Sequence, residues 1–303
     1  MSPLRRMLLI IALTAMWSPS FLFIKLALVD LPPMTIVSMR LIIASLIFGC
    51  ILLWCRRPLP RNWLFWANSM ILALFSSVFP FCLICFSETT IESALAAVLN
   101  GSSPMFTAIL AHLFLPSDRL HFQKIAGVAL SAAGLLFLFA PNIQEGFTGS
   151  SIGMLAAASA AMSYAISHVF AKKNFTGYQP FVVPAAQMIC GSLILIPVAL
   201  YFENPLSLAV PSLSAILGVC GLSCFGTVLA FIIYFRLIDH CGPTAISMVA
   251  CFFPVVGMLL GFIFLKESLT WGGLAASALI FLGLAIVNEA INIKRLIPAF
   301  AKR

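Results

Sequence analysis

Charge is what this chain lacks. Of its 303 residues only 9% are Asp, Glu, Lys or Arg, against about a quarter in soluble chains. Aspartate is almost missing: Asp30, Asp118 and Asp239 stand alone and far apart, which excludes the Asp-rich Mg²⁺ motifs of an intramembrane prenyltransferase. There is no HExxH for a metalloprotease and no GxSG with a distant His for a rhomboid-like protease, since "NGSSP" does not supply it. A glycine-rich phosphate loop is absent too, which argues against an ATP-driven pump. The sequence therefore predicts no catalytic set, no metal site and no cofactor. The nine cysteines sit almost wholly inside apolar blocks, where free Cys behaves as a small hydrophobe. Cys82 and Cys85 have CxxC spacing but lie within a span, without the second pair or nearby His that redox or metal chemistry would need.

What is present is apolar surface in long blocks: 62% hydrophobic side chains and a mean hydropathy of +1.11. A membrane span needs roughly 20 such residues. The sequence predicts spans near 7–28, 34–54, 64–86, 91–115, 121–140, 151–172, 180–201, 212–235, 243–265 and 270–290. Arg5 and Arg6 before an apolar run imitate a secretion signal, but no small-residue cleavage site follows, so the run is read as the first span. The expected fold class is an all-α polytopic membrane protein. Placing both termini in the cytoplasm puts fourteen of the seventeen basic residues inside, with Lys25, Arg40 and Lys266 as the exceptions. Asp30, Glu88, Glu92, Glu145, Glu203 and Glu267 then lie outside. Such a bias predicts orientation in a bacterial inner membrane, and it assigns the net charge of +8 to topology and anionic lipid rather than nucleic acid.

The two halves read as one another. "AMWSPSFLFIK" (15–25) aligns with "AMSYAISHVFAK" (161–172). Lys25 with Lys172, Trp17 with Tyr164 and Arg40 with Gln187 share a spacing of 147; Pro104 and Pro254 are 150 apart, and Gly134 and Gly283 are 149 apart. Five spans per half force the second copy to enter the membrane upside down. The expected units are 1–145 and 146–303, two inverted five-helix repeats around a central cavity. Repeats of this kind place a solute site near mid-bilayer where the halves meet.

The stretch 230–287, from "AFIIYFRLIDHCGPTAISMVACFFPVVGMLLGFIFLKESL" onward, resembles the second repeat of EamA-type carriers of the drug/metabolite transporter superfamily. Residues 93–138, "SALAAVLNGSSPMFTAILAHLFLPSDRL…", resemble the first. The resemblance covers nearly the whole chain. It implies ten helices, a central cavity lined by spans 1, 3, 4, 6, 8 and 9, peripheral spans 5 and 10, and export of amino acids, amines or related solutes. One departure is Ser117-Asp118 where the family's first half usually has Gly-Glu.

Several residues are candidates for the pathway. Pro104 and Pro254 fall mid-span and free the carbonyls of Asn100 and Ala250, which either packing, through Ser102 or Ser103, or a ligand has to satisfy. Asn100 adds an amide at mid-depth, as interhelical glue or as a cavity group. Pro19 and Ser20 loosen the first span beside Trp17. Trp17 and Tyr164 sit mid-span, where they either pack or flank a solute, with a cation–π attraction of about 0.5–2 kcal/mol if it is an amine. Tyr234, Phe252 and Phe253 extend that wall. Arg40 is expected to snorkel or pair with Glu88 or Glu92, with direct solute contact as the other reading. Gln187 matches it in the second half. Glu88 and Glu92 occupy an outer turn, either solvated or opening into the cavity to take a cation or a proton. His168 lies on the face of Tyr164, and His112 near the inner end of span 4; either is a proton carrier or an end residue. Glu267 is expected to cap span 10.

The expected function is a secondary carrier for small metabolites such as amino acids, amines or polyamines, working by alternating access. Its expected partners are the lipid bilayer, a small-molecule substrate, and a proton or counter-substrate; a homodimer through the peripheral helices is compatible. A passive facilitator or channel shares the fold, and an intramembrane enzyme is the third class.

Overall fold

In hydrocarbon every backbone N–H and C=O must be satisfied internally, so a chain this apolar is expected to form helix after helix. The computed structural model describes residues 3–116, 119–145, 149–267 and 271–287. Ser117, Asp118, Glu289 and the basic C-terminal segment lie outside the described residues. Among the described residues, eight helices are long and apolar enough to span a bilayer: α1 (Leu4–Ala27), α2 (Pro33–Trp54), α3 (Trp63–Ser87), α4 (Ser93–Phe114), α5 (Phe122–Ala140), α6 (Gly149–Asn174), α7 (Val182–Phe202) and α8 (Leu213–His240). Two shorter apolar helices, α9 (Phe253–Leu265) and α10 (Trp271–Val287), complete the set. The protein is an all-α polytopic membrane protein of two inverted five-helix repeats, α1–α5 and α6–α10, around a central cavity. Trp54, Trp63 and Trp271 stand exposed at helix ends, where indole rings meet the headgroup layer.

The ninth span departs from its expected form. Helix runs from Ala230 to Ser247, and Met248–Phe252 is a 3₁₀ turn that enters α9 at Phe253. Pro254 has no N–H to close an α-turn onto Ala250, and the tighter turn accommodates it. In the first repeat Pro104 has the same effect: α4 is interrupted at Gly101–Ser102 and restarts at Ser103. Helix α1 is interrupted at Ser18–Pro19.

Small residues at the breaks let helices cross closely. A methyl group on Gly101 would lie 2.9 Å from Pro254 Cγ, and one on Gly257 would collide with Ala97, so α4 and α9 meet at their interrupted middles. At the periphery α5 packs on α10 through Gly127, Ser131 and Gly134 facing Gly283 and Ile280. This small-residue seam permits backbone approach where lipid supplies no hydrophobic drive.

Helices α3 and α8 each contain a π-helical turn, Leu74–Val78 and Cys224–Leu229, at a spacing of 150. Each turn receives a side chain from the other repeat. Arg40 on α2 donates through Nε to Thr227 Oγ1 at 2.7 Å and through Nη2 to the Gly226 carbonyl at 3.1 Å. Gln187 on α7 donates through Nε2 to Ser77 Oγ at 2.6 Å. Arg40 and Gln187 are the repeat-related pair, and so are Thr227 and Ser77. This reciprocal exchange, first half to second and second to first, is what a twofold axis produces. Within each half, Lys25 Nζ donates to the carbonyls of Glu88 and Ile91 at the end of α3. Lys172 Nζ does the same for Ile238 and Asp239 at the end of α8.

Candidate functional site

A cavity of about 640 Å³, its open mouth included, lies between the repeats. Its wall is built from repeat-related residues: Trp17 and Tyr164, Phe21 and His168, Phe81 and Phe231, Asn100 and Ala250, Ser103 and Phe253. The first residue of each pair comes from α1, α3 or α4. Its counterpart comes from α6, α8 or the α9 entry. Five such pairs facing one space put the cavity on the pseudo-twofold axis. Ser20, Ile24, Arg40, Ile84 and Ile246 complete the wall.

Arg40 is 3% exposed and is the one ionised side chain in this lining. Its guanidinium lies 3.6 Å over the Phe81 ring, and both of its hydrogen bonds go to neutral acceptors of α8. The snorkelling or pairing with Glu88 or Glu92 expected for it does not occur. The π-turn of α8 presents a spare carbonyl at Gly226 that captures the guanidinium instead, and Trp17 Nε1 donates to that same carbonyl at 3.1 Å. The hydroxyls near Pro104 serve carbonyls other than the one it frees at Asn100: Ser102 Oγ donates to Leu99 O at 2.6 Å and Thr107 Oγ1 to Ser103 O at 2.9 Å. Ser20 Oγ, Asn100 Oδ1 and Ser103 Oγ are left buried without a partner.

The aromatic wall is ordered in two layers. Tyr164 stacks on His168 at 6.3 Å. Behind them Tyr234, 1% exposed, exchanges a 3.0 Å hydrogen bond with His168 Nδ1 and packs on Trp17 at 5.9 Å. Tyr234 therefore supports the wall rather than lining it. Phe252 does not line it either. It is 43% exposed and faces Phe281, because consecutive residues of a 3₁₀ turn point about 120° apart and only Phe253 turns inward. Gln187 is buried away from the cavity, its Nε2 on Ser77 and its Oε1 without a partner. His112 is exposed at the end of α4, accepting from Leu120 N at 3.2 Å, away from the cavity.

Asp30, Glu88, Glu92, Glu203 and Glu267 gather at one end of the bundle, where three of them tie the repeats together. Glu203 at the end of α7 accepts from Met34 N, Thr35 N and Thr35 Oγ1 at 2.6–2.9 Å, capping α2. Glu267 after α9 accepts from Ser93 N, Ser93 Oγ and Ala94 N at 2.8–3.0 Å. It thus caps α4 and not the tenth helix as expected, since the left-handed Lys266 (φ 57°) swings the chain back over α4. Asp30 after α1 accepts from Ser212 N at 2.9 Å and from Ser212 Oγ, at the start of α8. Each carboxylate meets the positive end of a helix dipole in the other repeat. Neither Glu88 nor Glu92 is among the residues that line the cavity. Glu92 is exposed beside the start of α4. Glu88 is 1% exposed, with neither carboxyl oxygen hydrogen-bonded. Burial holds its carboxyl well above the usual carboxylate range, while Lys25 draws it down and Glu267 pushes it up.

Several of these residues escape sequence reading. Asp30 and Glu203 look like solvated turn acids. Ser77 and Thr227 carry one signal, their spacing of 150 within matching spans.

Inverted helical repeats enclosing a polar-studded, mostly apolar chamber at their seam define a membrane transporter. The model of the EamA-like transporter family matches residues 4–140 and 151–289, and the chain belongs to that family. Among its relatives, the "Probable amino-acid metabolite efflux pump" of Salmonella typhimurium is 26% identical, covering 95% of this chain and 96% of the relative. Protein PecM of Dickeya dadantii is 29% identical over 82% of each chain. The "Uncharacterized transporter YoaV" of Bacillus subtilis is 24% identical over 92% of this chain and 94% of its own. A solved crystal structure superposes with a TM-score of 0.72 at 20% identity, covering 95% of this chain and 99% of the other, which bears on the fold alone.

Proposed function

We propose that this protein is a secondary carrier for small organic metabolites of the amino-acid and amine class, working by alternating access in a bacterial inner membrane. The moving units are the two five-helix repeats, 1–145 and 146–303. The basic end and both termini face the cytoplasm, and the acidic end faces out. One observation carries the reading: the cavity is lined by repeat-related pairs, so a small rotation of one repeat against the other exchanges which end is closed. The three interlocked carboxylates support a state closed at the acidic end. The relatives named as amino-acid metabolite efflux pumps support the solute class and an outward direction.

The test is counterflow in proteoliposomes loaded with unlabelled amino acids and amines. A carrier gives saturable uptake of label that is accelerated by internal substrate. Flux that rises linearly with concentration and ignores internal substrate would identify a passive facilitator and reject the carrier.

A further inference from the structure

We infer that the cavity is built for a solute with a carboxylate at one pole and an apolar body, the carboxylate docking on Arg40 and an adjacent ammonium or hydroxyl on Asn100 and Ser103. This rests on the carrier reading and narrows it.

The wall is asymmetric within a symmetric frame. At the repeat-related wall positions the first repeat places Asn100 and Ser103 where the second places Ala250 and Phe253. Arg40 reaches the cavity, whereas its counterpart Gln187 does not. The α1–α5 side thus carries Ser20, Arg40, Asn100 and Ser103, while the other side offers Tyr164 and His168 among the apolar Phe231, Ile246 and Phe253.

Those polar groups are also unfinished. A buried guanidinium is costly unless it meets an anion or a full set of acceptors. Arg40 uses Nε and Nη2 on α8 and leaves Nη1 without a hydrogen bond. Asn100 Oδ1 is a buried acceptor with no donor, and Ser20 Oγ and Ser103 Oγ are buried without partners. Burial of this kind is rare in a finished core and calls for a missing group. A carboxylate satisfies the guanidinium through a charge-assisted hydrogen bond. A donor next to that carboxylate satisfies Asn100 Oδ1. A dication of the polyamine type satisfies neither, because it meets the positive charge of Arg40 and no carboxylate in the wall.

Three probes sharing one ring separate the poles: L-phenylalanine, 3-phenylpropionate without the amine, and 2-phenylethylamine without the carboxylate. Binding is measured calorimetrically to the full chain in lipid nanodiscs, for wild type, Arg40→Gln and Asn100→Leu. The expected wild-type order is phenylalanine, then phenylpropionate, with phenylethylamine at least tenfold weaker. Arg40→Gln should lower carboxylate affinity about 10–100-fold, the usual range for a lost charge-assisted bond, and leave phenylethylamine within about threefold. Asn100→Leu should weaken phenylalanine about 5–10-fold, an ordinary buried hydrogen bond, and spare phenylpropionate. The wild-type ranking needs no variant to fold: equal or inverted affinities, or no binding of any probe, overturn the inference. A uniform loss across all three probes in Arg40→Gln gives Arg40 a purely structural role and overturns it as well. Saturable counterflow of other solutes would leave the carrier standing in those cases, whereas its absence removes the carrier and not the ranking.

Discussion

The acidic-end clamps make a quantitative prediction about which state the protein occupies. Glu267 caps α4 from the other repeat, with three acceptor contacts to Ser93 and Ala94. In the alternating-access cycle proposed above, the repeats separate at that end, the carboxylate and the α4 N-terminus return to water, and the contacts are lost. The capping energy therefore belongs almost wholly to the closed state. Removing a helix N-cap costs about 0.5–2 kcal/mol. Anion–dipole attraction, about 0.3–1 kcal/mol when exposed, lies partly inside that figure. Glu267→Ala should then shift the equilibrium toward the open state by about 1–2 kcal/mol, a population change of roughly 5–30-fold.

Accessibility reads this directly. A single cysteine at Ser103, on the cavity wall, is introduced into a background with the native cysteines replaced. It is labelled by a membrane-impermeant maleimide added from the acidic side. Labelling of the closed protein is limited by the open fraction, so Glu267→Ala should raise the rate about 5–30-fold. The melting temperature should fall by only a few degrees. A labelling rate unchanged by the substitution, in protein that is still folded, refutes the claim that this clamp holds the gate. The same rate increase from the opposite side would refute the assignment of ends.

The remaining clamps should act in the same direction and add. Glu203→Ala removes three acceptor contacts at the start of α2, and the double variant with Glu267→Ala should label faster than either alone, by about the product of the single effects. Glu88 faces Lys25 and Glu267, and its carboxyl is raised by burial. Its protonated form favours the closed packing at low pH, and that contribution is lost as pH rises through the raised pKa. Cavity labelling should therefore accelerate with rising pH in the wild type and become nearly pH-independent in Glu88→Gln. Gly134→Leu places a branched side chain against Ile280 and Leu279, where even a methyl carbon would sit 2.9 Å away. Overpacking of about 1–3 kcal/mol should lower the melting temperature without changing probe affinities at the cavity.

The architecture is legible in the sequence because membrane folding leaves few alternatives: hydropathy gives the spans, and the 147–150 spacings give the duplication. Prolines 104 and 254 are equally legible, since the missing N–H acts wherever the helix is placed. The cavity wall is only half legible. Trp17, Asn100 and Tyr164 stand out as rare polar or amphipathic residues at mid-depth, whereas Phe81 and Phe231 are lost among 27 phenylalanines. Phe252 and Phe253 are indistinguishable until the 3₁₀ turn separates their directions. The partner of Arg40 is not readable, because neither "LFSSV" nor "CFGTVL" announces a π-turn. A guanidinium near the outer end of its span looks free to snorkel until that turn exposes a carbonyl on α8.

The π-turns explain why a duplicated sequence makes an asymmetric site. In an α-helix the Gly226 carbonyl would be engaged by Ala230 N, which here bonds Phe225 O and Thr227 O instead. The wider turn frees it, and Trp17 and Arg40 both dock there. In the other repeat the matching turn, Leu74–Val78, is followed by Pro80, which cannot donate back to Ser76. Its Phe75 carbonyl accepts from Ser163 Oγ at 2.8 Å, a short hydroxyl beside Tyr164. The same device thus fixes an indole and a cation on one side, and a serine and a glutamine on the other. Exchanging the two, Arg40→Gln together with Gln187→Arg, would place the guanidinium against Ser77 at the twofold-related point. If the frame alone decides polarity, carboxylate binding should survive in an inverted pose, with Asn100 no longer contributing. If Asn100 and Arg40 act as one site, the exchange should instead abolish the preference for phenylalanine and phenylpropionate over phenylethylamine, leaving all three probes with similar affinities.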